Sequence, residues 1–264
     1  MVSRRFVRSF AVLALALLAL PDRALAAFHL VEIEQVIGGV NGDTTAQAVQ
    51  LRFRAAGQNL LNGAVRLRAW DAGGANPVVL LAFSGANPAS GLACRRVLVA
   101  TPGFEFTSTP PVDAAAADYT MTAAIPASYL AAGSLTFENT AGTAIYWRLS
   151  WGGVSYTGPG TVATPPTGND PDGTMNPPFA GPLPSSGVEA LQFTPACATV
   201  PSNNAAQYAL TPGAATFTAN DLSTYVVTAP PPPVPVFPGS AGLALVGALG
   251  ALALGGGILR RRLG

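Results

Sequence analysis

The chain has 264 residues with 14 basic and 13 acidic side chains, and every basic one is arginine. The lack of lysine excludes Schiff-base chemistry and a P-loop phosphate site, and a single histidine leaves little for a metal centre or a catalytic triad. Charge is also unevenly spread: residues 27–233 carry seven arginines against twelve acidic residues, a formal charge of −5, which argues against a nucleic-acid partner.

In chain order, residues 1–26 have the layout of a secretory signal peptide. Arg4, Arg5 and Arg8 precede an apolar run over 10–20, Pro21 breaks it, and Ala24-Leu25-Ala26 offers a small-residue cleavage site before Ala27. This predicts export by a Sec translocon, cleavage by signal peptidase and a mature chain starting near Ala27.

The next 200 residues are rich in Ala, Gly, Thr and Pro, with short runs of β-formers between turn residues, a pattern that predicts an all-β domain over 27–228. Residues 28–37 predict a strand with Val31, Ile33, Gln35 and Ile37 toward the core and Glu32 and Glu34 on the other face. Residues 38–43 read as a loop. In 48–54, Val49, Leu51 and Phe53 alternate with Gln50, Arg52 and Arg54. After the Asn62-Gly63 turn, Val65, Leu67 and Ala69 alternate with Arg66, Arg68 and Trp70. These two strands are expected to be neighbours with solvent-facing arginines, staggered or paired with Glu32 and Glu34 to avoid like charges in register.

Gly-Ala-Asn-Pro occurs at 74–77 and 85–88; each copy predicts a turn, and the apolar run 78–83 between them predicts a strand buried on both faces. Further strands are expected at 95–100, 104–106, 119–125, 135–138, 144–151, 188–193, 207–210, 215–218 and 223–228, with one helical turn at 126–132. Fourteen of the thirty-one residues at 157–187 are Pro or Gly, so that stretch predicts a long flexible loop. Cys94 and Cys197 predict a single disulfide, which would keep the loop inside one domain.

Candidate chemistry is sparse. His29 lies near the mature N-terminus with no Gly-x-Ser-x-Gly elbow, and reads as a residue of the first strand. Glu32, Glu34, Glu105, Glu138 and Glu189 could supply a glycosidase pair if two met across a cleft, but they read first as strand-face residues. Asn169, Asp170 and Asp172 place oxygens at a spacing like a calcium loop; Gly181 stands where the closing Glu belongs, so the stretch reads as an acidic turn. Trp70, Trp147 and Trp151 could stack on sugars, or pack at the rim of a β core. No cofactor is expected, and a partner outside the export machinery would be an exopolysaccharide.

At the C-terminus, residues 229–238 form a Pro-rich stalk ending in Val234, Pro235 and Pro238. An uncharged stretch over 239–259 follows, and 260–264 opens with Arg260, Arg261 and Arg262. Its 19-residue core covers roughly 28 Å as a helix, close to the ~30 Å of a bilayer interior, and predicts a membrane span with a basic cytoplasmic end. This three-part tail resembles the sorting signals of exosortase substrates, the PEP-CTERM family, although the Glu of Pro-Glu-Pro is absent. The resemblance implies cleavage near the motif by an exosortase-type enzyme after export; a permanent anchor is the alternative. The opening residues 28–53 resemble, at the level of pattern, the first hairpin of bacterial lamin-tail sandwiches.

Together these readings predict an Ig-like or lamin-tail-like β-sandwich between a signal helix and a transmembrane helix. They predict a non-enzymatic surface or matrix protein at the cell envelope, with a carbohydrate-binding module, a surface hydrolase or a calcium-dependent adhesin as the alternatives.

Overall fold

A computed structural model describes residues 28–111, 117–159, 169, 177–199 and 204–228. Within them the chain forms three β-sheets. The six-stranded sheet has the order β11-β10-β1-β2-β5-β7, from Tyr208–Leu210, Leu191–Phe193, Val31–Ile37, Ala48–Phe53, Arg96–Ala100 and Tyr119–Thr120. Its pairs are antiparallel except β5 with β7. The four-stranded sheet has the order β4-β3-β8-β9, from Val78–Ala82, Val65–Trp70, Gly133–Asn139 and Ile145–Trp151. The three-stranded sheet is β12-β13-β6, from Thr216–Thr218, Thr224–Val227 and Ser108–Thr109.

The six-stranded sheet lies in the middle and packs on both faces. One face joins the four-stranded sheet through Val31, Ile33, Val36, Val49, Leu51 and Phe53 against Leu67, Leu135, Phe137, Trp147 and Trp151. The other joins the three-stranded sheet through Ile37, Ala48, Leu98 and Ala100 against Phe217, Tyr225 and Val227, with Phe104 edge-on to Phe217. This is why every residue of β1 and β2 is buried, polar ones included. Alternation decides which side chain enters which core, and one bulge adjusts it. Between Ile33 and Gln35 the register of β1 on β2 slips by a residue, so Val36 joins Val31 and Ile33 in the first core while Ile37 enters the second.

A disulfide joins Cys94 to Cys197 with Cα atoms 5.7 Å apart, tying the approach to β5 to the segment after β10. Part of 157–187 is packed: Phe179 bridges to Trp151, and Leu183 is buried with its N–H donated to Leu130 O.

The structure corrects several expectations. The architecture is three sheets rather than an Ig-like pair, because Thr-rich strands at 216–227 form a sheet of their own and cover the second face. The helices of the described residues are one or two turns long, at Pro102–Thr107, Ala127–Tyr129, Gly153–Ser155 and Asn204–Gln207. None is long and apolar enough to cross a membrane, which takes about 20 apolar residues. The expected signal helix at 1–26, and the stalk, span and basic end at 229–264, lie outside the described residues. Residues 104–106 form a 3₁₀ turn that buries Phe104 rather than a strand. β4 is an edge strand with Val79 40% exposed, not a strand buried on both faces. The two arginine-bearing strands, β2 and β3, belong to different sheets.

Candidate functional site

Two clusters of Glu and Arg arise from the same strand grammar in different layers. The first lies on the face of the central sheet toward the three-stranded sheet. Glu32, Arg52 and Arg96 are direct cross-strand partners in one row over β1, β2 and β5. Two arginines in register repel. The bulge in β1 places Glu34 between them: its Oε1 accepts from Arg52 Nη1 at 2.8 Å and its Oε2 from Arg96 Nε at 2.6 Å. Gln50 donates to the same oxygen at 2.6 Å and accepts from Thr218 N–H, which seats β12 on the cluster. Glu32 accepts from Arg52 Nε, and Arg52 Nη2 donates to Pro195 O at 3.1 Å.

Glu32 and Glu34 are 0% and 1% exposed. Burial raises the Glu32 carboxyl to about 7, although the neighbouring Arg52 charge opposes the shift. Glu32 Oε2 and Arg54 Nε are buried with no hydrogen-bond partner. The bulge also has a structural use on the opposite face, where the Ile33 carbonyl accepts from Tyr208 O–H and Trp147 Nε1 donates to Tyr208 at 2.8 Å.

The second cluster lies on the outer face of the four-stranded sheet. Cross-strand pairing builds a grid: Arg66 faces Glu138, Arg68 faces Thr136 with Arg148 beyond it, and Trp70 faces Ser134 with Ser150 beyond it. Arg66 Nε donates to Glu138 Oε1 at 2.6 Å, Arg68 Nη2 to Oε2 at 3.1 Å, and Thr136 Oγ1 to Oε2 at 3.0 Å. The Arg68 guanidinium lies 4.1 Å over the Trp70 ring, and its Nε is buried without a partner. Trp70 Nε1 donates to Thr136 Oγ1 at 3.0 Å.

Beside this grid is a cleft of about 80 Å³, walled by Trp70, Gly74, Ser134, Thr136, Ile145, Arg148, Tyr156 and Pro159. Tyr156 O–H lies 3.1 Å from Ser134 Oγ and 2.9 Å from Pro159 O, and burial raises its phenol above the usual range. Gly74 has φ +71, and a Cβ there would collide with Pro159 Cδ. Only glycine lets the 71–77 turn and the 156–159 segment close this wall.

The structure sorts the other candidates. Trp147 and Trp151 are fully buried, with their Nε1 groups given to Tyr208 and to Tyr129 O, so of the three tryptophans only Trp70 borders solvent. Asn169 is buried and pairs through both amide atoms with the Arg148 backbone at 3.0 Å, acting as a strand partner at the β9 edge rather than as a calcium ligand. Asp170 and Asp172 lie outside the described residues, and no group of three metal-binding side chains occurs among the described ones. His29 is exposed beside Phe28 and Tyr146. Glu105 sits in the 3₁₀ turn at Pro102–Thr107, and Glu189 accepts from the Val188 N–H.

Sequence reasoning expected the arginines of both strands to be staggered or paired with Glu32 and Glu34, and named Glu138 among the strand-face carboxylates without its arginine partners; Thr136 and Tyr156 were missed. Period-two alternation of Ser134, Thr136 and Glu138 was the available signal.

Comparison with family models, with curated proteins and with solved structures gives no match. The expected surface or matrix protein, held at the envelope by a C-terminal span, is corrected by the fold. Among the described residues no helix can serve as that anchor, and what they offer for function is a disulfide-closed β domain with one aromatic cleft. The proposed sorting motif at Val234, Pro235 and Pro238, the Arg260–Arg262 cluster and the Ala24–Ala27 cleavage site lie outside the described residues.

Proposed function

We propose that the domain is a carbohydrate-binding module whose ligand enters the cleft at Trp70. The observation that supports this most is the composition of the cleft. One half-buried indole stands beside three hydroxyls, those of Ser134, Thr136 and Tyr156, and one guanidinium, that of Arg148. A pyranose presents an apolar C–H face and a rim of hydroxyls, and an indole bordered by hydrogen-bonding groups complements both. The volume limits the fit. At about 80 Å³ the cleft is roughly half the 150 Å³ cavity that encloses a benzene, so it takes the edge of one ring while the rest of a chain lies outside. Binding without turnover is the reading for Glu138. Arg66, Arg68 and Thr136 occupy both its oxygens, which makes it a poor proton donor or nucleophile.

Trp70 reports directly on this reading, because the other two tryptophans are fully buried. Titrating the full chain with an oligosaccharide panel should shield one tryptophan from acrylamide quenching, and Trp70→Ala should abolish both the shielding and the binding. Unchanged quenching across the panel would remove the proposal.

A further inference from the structure

We infer that Ser134 and Thr136 set the specificity of the cleft, and that both meet the ligand as hydrogen-bond acceptors. The sugar that fits presents free hydroxyl hydrogens to β8 rather than methylated, acylated or glycosidic oxygens; this rests on the carbohydrate reading above. Both residues line the cleft beside Trp70, and as alternate residues of one strand face they stand about 6.6 Å apart along β8.

The direction of each hydrogen bond follows from what its partner is able to do. At Thr136 the choice is forced from both sides. The Trp70 indole N–H can only donate, and it lies 3.0 Å from Thr136 Oγ1. Glu138, in ion pairs with Arg66 and Arg68, can only accept, and its Oε2 lies 3.0 Å from the same hydroxyl. The Arg68 carbonyl, at 3.3 Å, is a second acceptor competing for that one proton. Thr136 therefore takes the indole proton, gives its own away inside the protein and keeps a lone pair.

The same count applies at Ser134. Tyr156 carries one proton and has two oxygens within reach, Pro159 O at 2.9 Å and Ser134 Oγ at 3.1 Å. A carbonyl cannot donate, so both bonds form only when Tyr156 donates to Pro159 and Ser134 donates to Tyr156. Burial raises the Tyr156 phenol above its usual range, which keeps that proton in place at neutral pH. Ser134 Oγ is left with lone pairs and no proton for a ligand. Turning either hydroxyl outward to donate would take a bond from Glu138 or from Tyr156, both buried. A ligand hydroxyl supplies the missing hydrogen, whereas an ether or ester oxygen sets lone pair against lone pair.

The test is an NMR titration of the full chain, following the Trp70 indole N–H signal, which is identified by its loss in Trp70→Ala. The probes are the methyl pyranosides of glucose, galactose and mannose, each with its monodeoxy and monodeoxyfluoro analogues. Fluorine fills the place of a hydroxyl but cannot donate. At one or two ring positions the fluoro analogue should bind at least about tenfold more weakly than its parent, and no better than the deoxy analogue. Ser134→Ala keeps the bond from Tyr156 to Pro159. It should weaken the parent sugar to the level of its fluoro analogue at one position and leave that analogue unchanged. Thr136→Ser retains a hydroxyl between Trp70 and Glu138 and should preserve the native preference, which separates lost recognition from lost folding. Fluoro analogues that bind like their parents at every position, or a preference unchanged in Ser134→Ala, overturn the acceptor inference and leave the carbohydrate reading standing. Absence of binding by all three parent sugars sinks the carbohydrate reading itself.

Discussion

The cluster around Glu32 and Glu34 and the cluster around Glu138 are made of the same parts. Each pairs carboxylates with arginines across neighbouring strands, and each has a buried nitrogen without a partner, Arg54 Nε in one and Arg68 Nε in the other. Their surroundings differ. A third sheet and the segment near Pro195 cover the first around Arg52, whose side chain is 9% exposed, while Arg96 at its margin keeps 38% of its side-chain surface in solvent. The second borders an open cleft, and its arginines Arg66 and Arg68 keep 18% and 15% of their side-chain surface in solvent. Where water is removed, ionised pairs must satisfy one another and bear the desolvation cost, so they act in folding. Beside the cleft Arg66 and Arg68 keep partial contact with solvent, so each of their bonds to Glu138 contributes less to folding.

Removing one cation from each cluster tests that contrast most strongly. Arg52→Ala leaves Glu32 and Glu34 buried without their shared partner, with Arg54, Arg96 and Gln50 remaining nearby, and should cost about 3–5 kcal/mol in urea unfolding. Arg66→Ala should cost about 1 kcal/mol, since Arg68 and Thr136 still hold Glu138. Equal losses would show that the third sheet does not isolate the first cluster.

pH probes the first cluster next. The folded state raises Glu32 from 4.5 to about 7, so between those values the native chain holds more protons than the unfolded one. Stability from this group is full below pH 4.5 and declines as pH rises through 7, by on the order of 3 kcal/mol. Asp118, raised by burial to about 6 and bonded to the Leu98 and Asn220 N–H groups, adds a slope of the same sign at lower pH. Glu32→Gln should therefore flatten the melting temperature between pH 6 and 7. A Glu32→Gln profile parallel to the native one would remove Glu32 as the cause.

Smaller effects are expected at the open cluster. Gly74→Ala forces a left-handed φ and a contact with Pro159, for a loss of about 1–3 kcal/mol and a reshaped cleft. A variant as stable as the native chain would show that the 156–159 wall yields freely. Trp70→Ala should cost under about 1 kcal/mol at a half-exposed rim while removing sugar binding, whereas Trp147→Ala should cost about 3–5 kcal/mol. Comparable melting points for the two would contradict their assignment to rim and core.

Much of the strand pattern was legible because alternation is local. Val49, Leu51 and Phe53 against Gln50 and Arg52 define two faces wherever the strand is placed. The Gly-Ala-Asn-Pro turns were legible for a similar reason, with Gly74, Asn76 and Gly85 all at positive φ. The bulge in β1 was not legible, since a register slip depends on the partner strand. Nor was the separation of β2 from β3, because an Asn-Gly turn specifies a reversal without specifying the sheet that receives the next strand. Of the candidate site, Trp70, Glu138 and the arginines of β3 were visible in the sequence, whereas the partners of Glu138 and the places of Thr136 and Tyr156 became visible only in the folded chain.

What the sequence determined by itself is therefore the β character of the domain, the faces of its strands and the turn positions, all set by chemistry within a few residues. The tertiary structure decided which of those faces is dry. Glu32 and Glu138 sit in similar strands, each directly opposite an arginine of the neighbouring strand, and both are fully buried. The difference comes from a sheet contributed by residues 108–109 and 216–227, far along the chain, which packs over one cluster and leaves the other beside a cleft. Solvation, which converts an ion pair from a surface ornament into a folding element, is a property of what packs on top, and short-range sequence does not encode it.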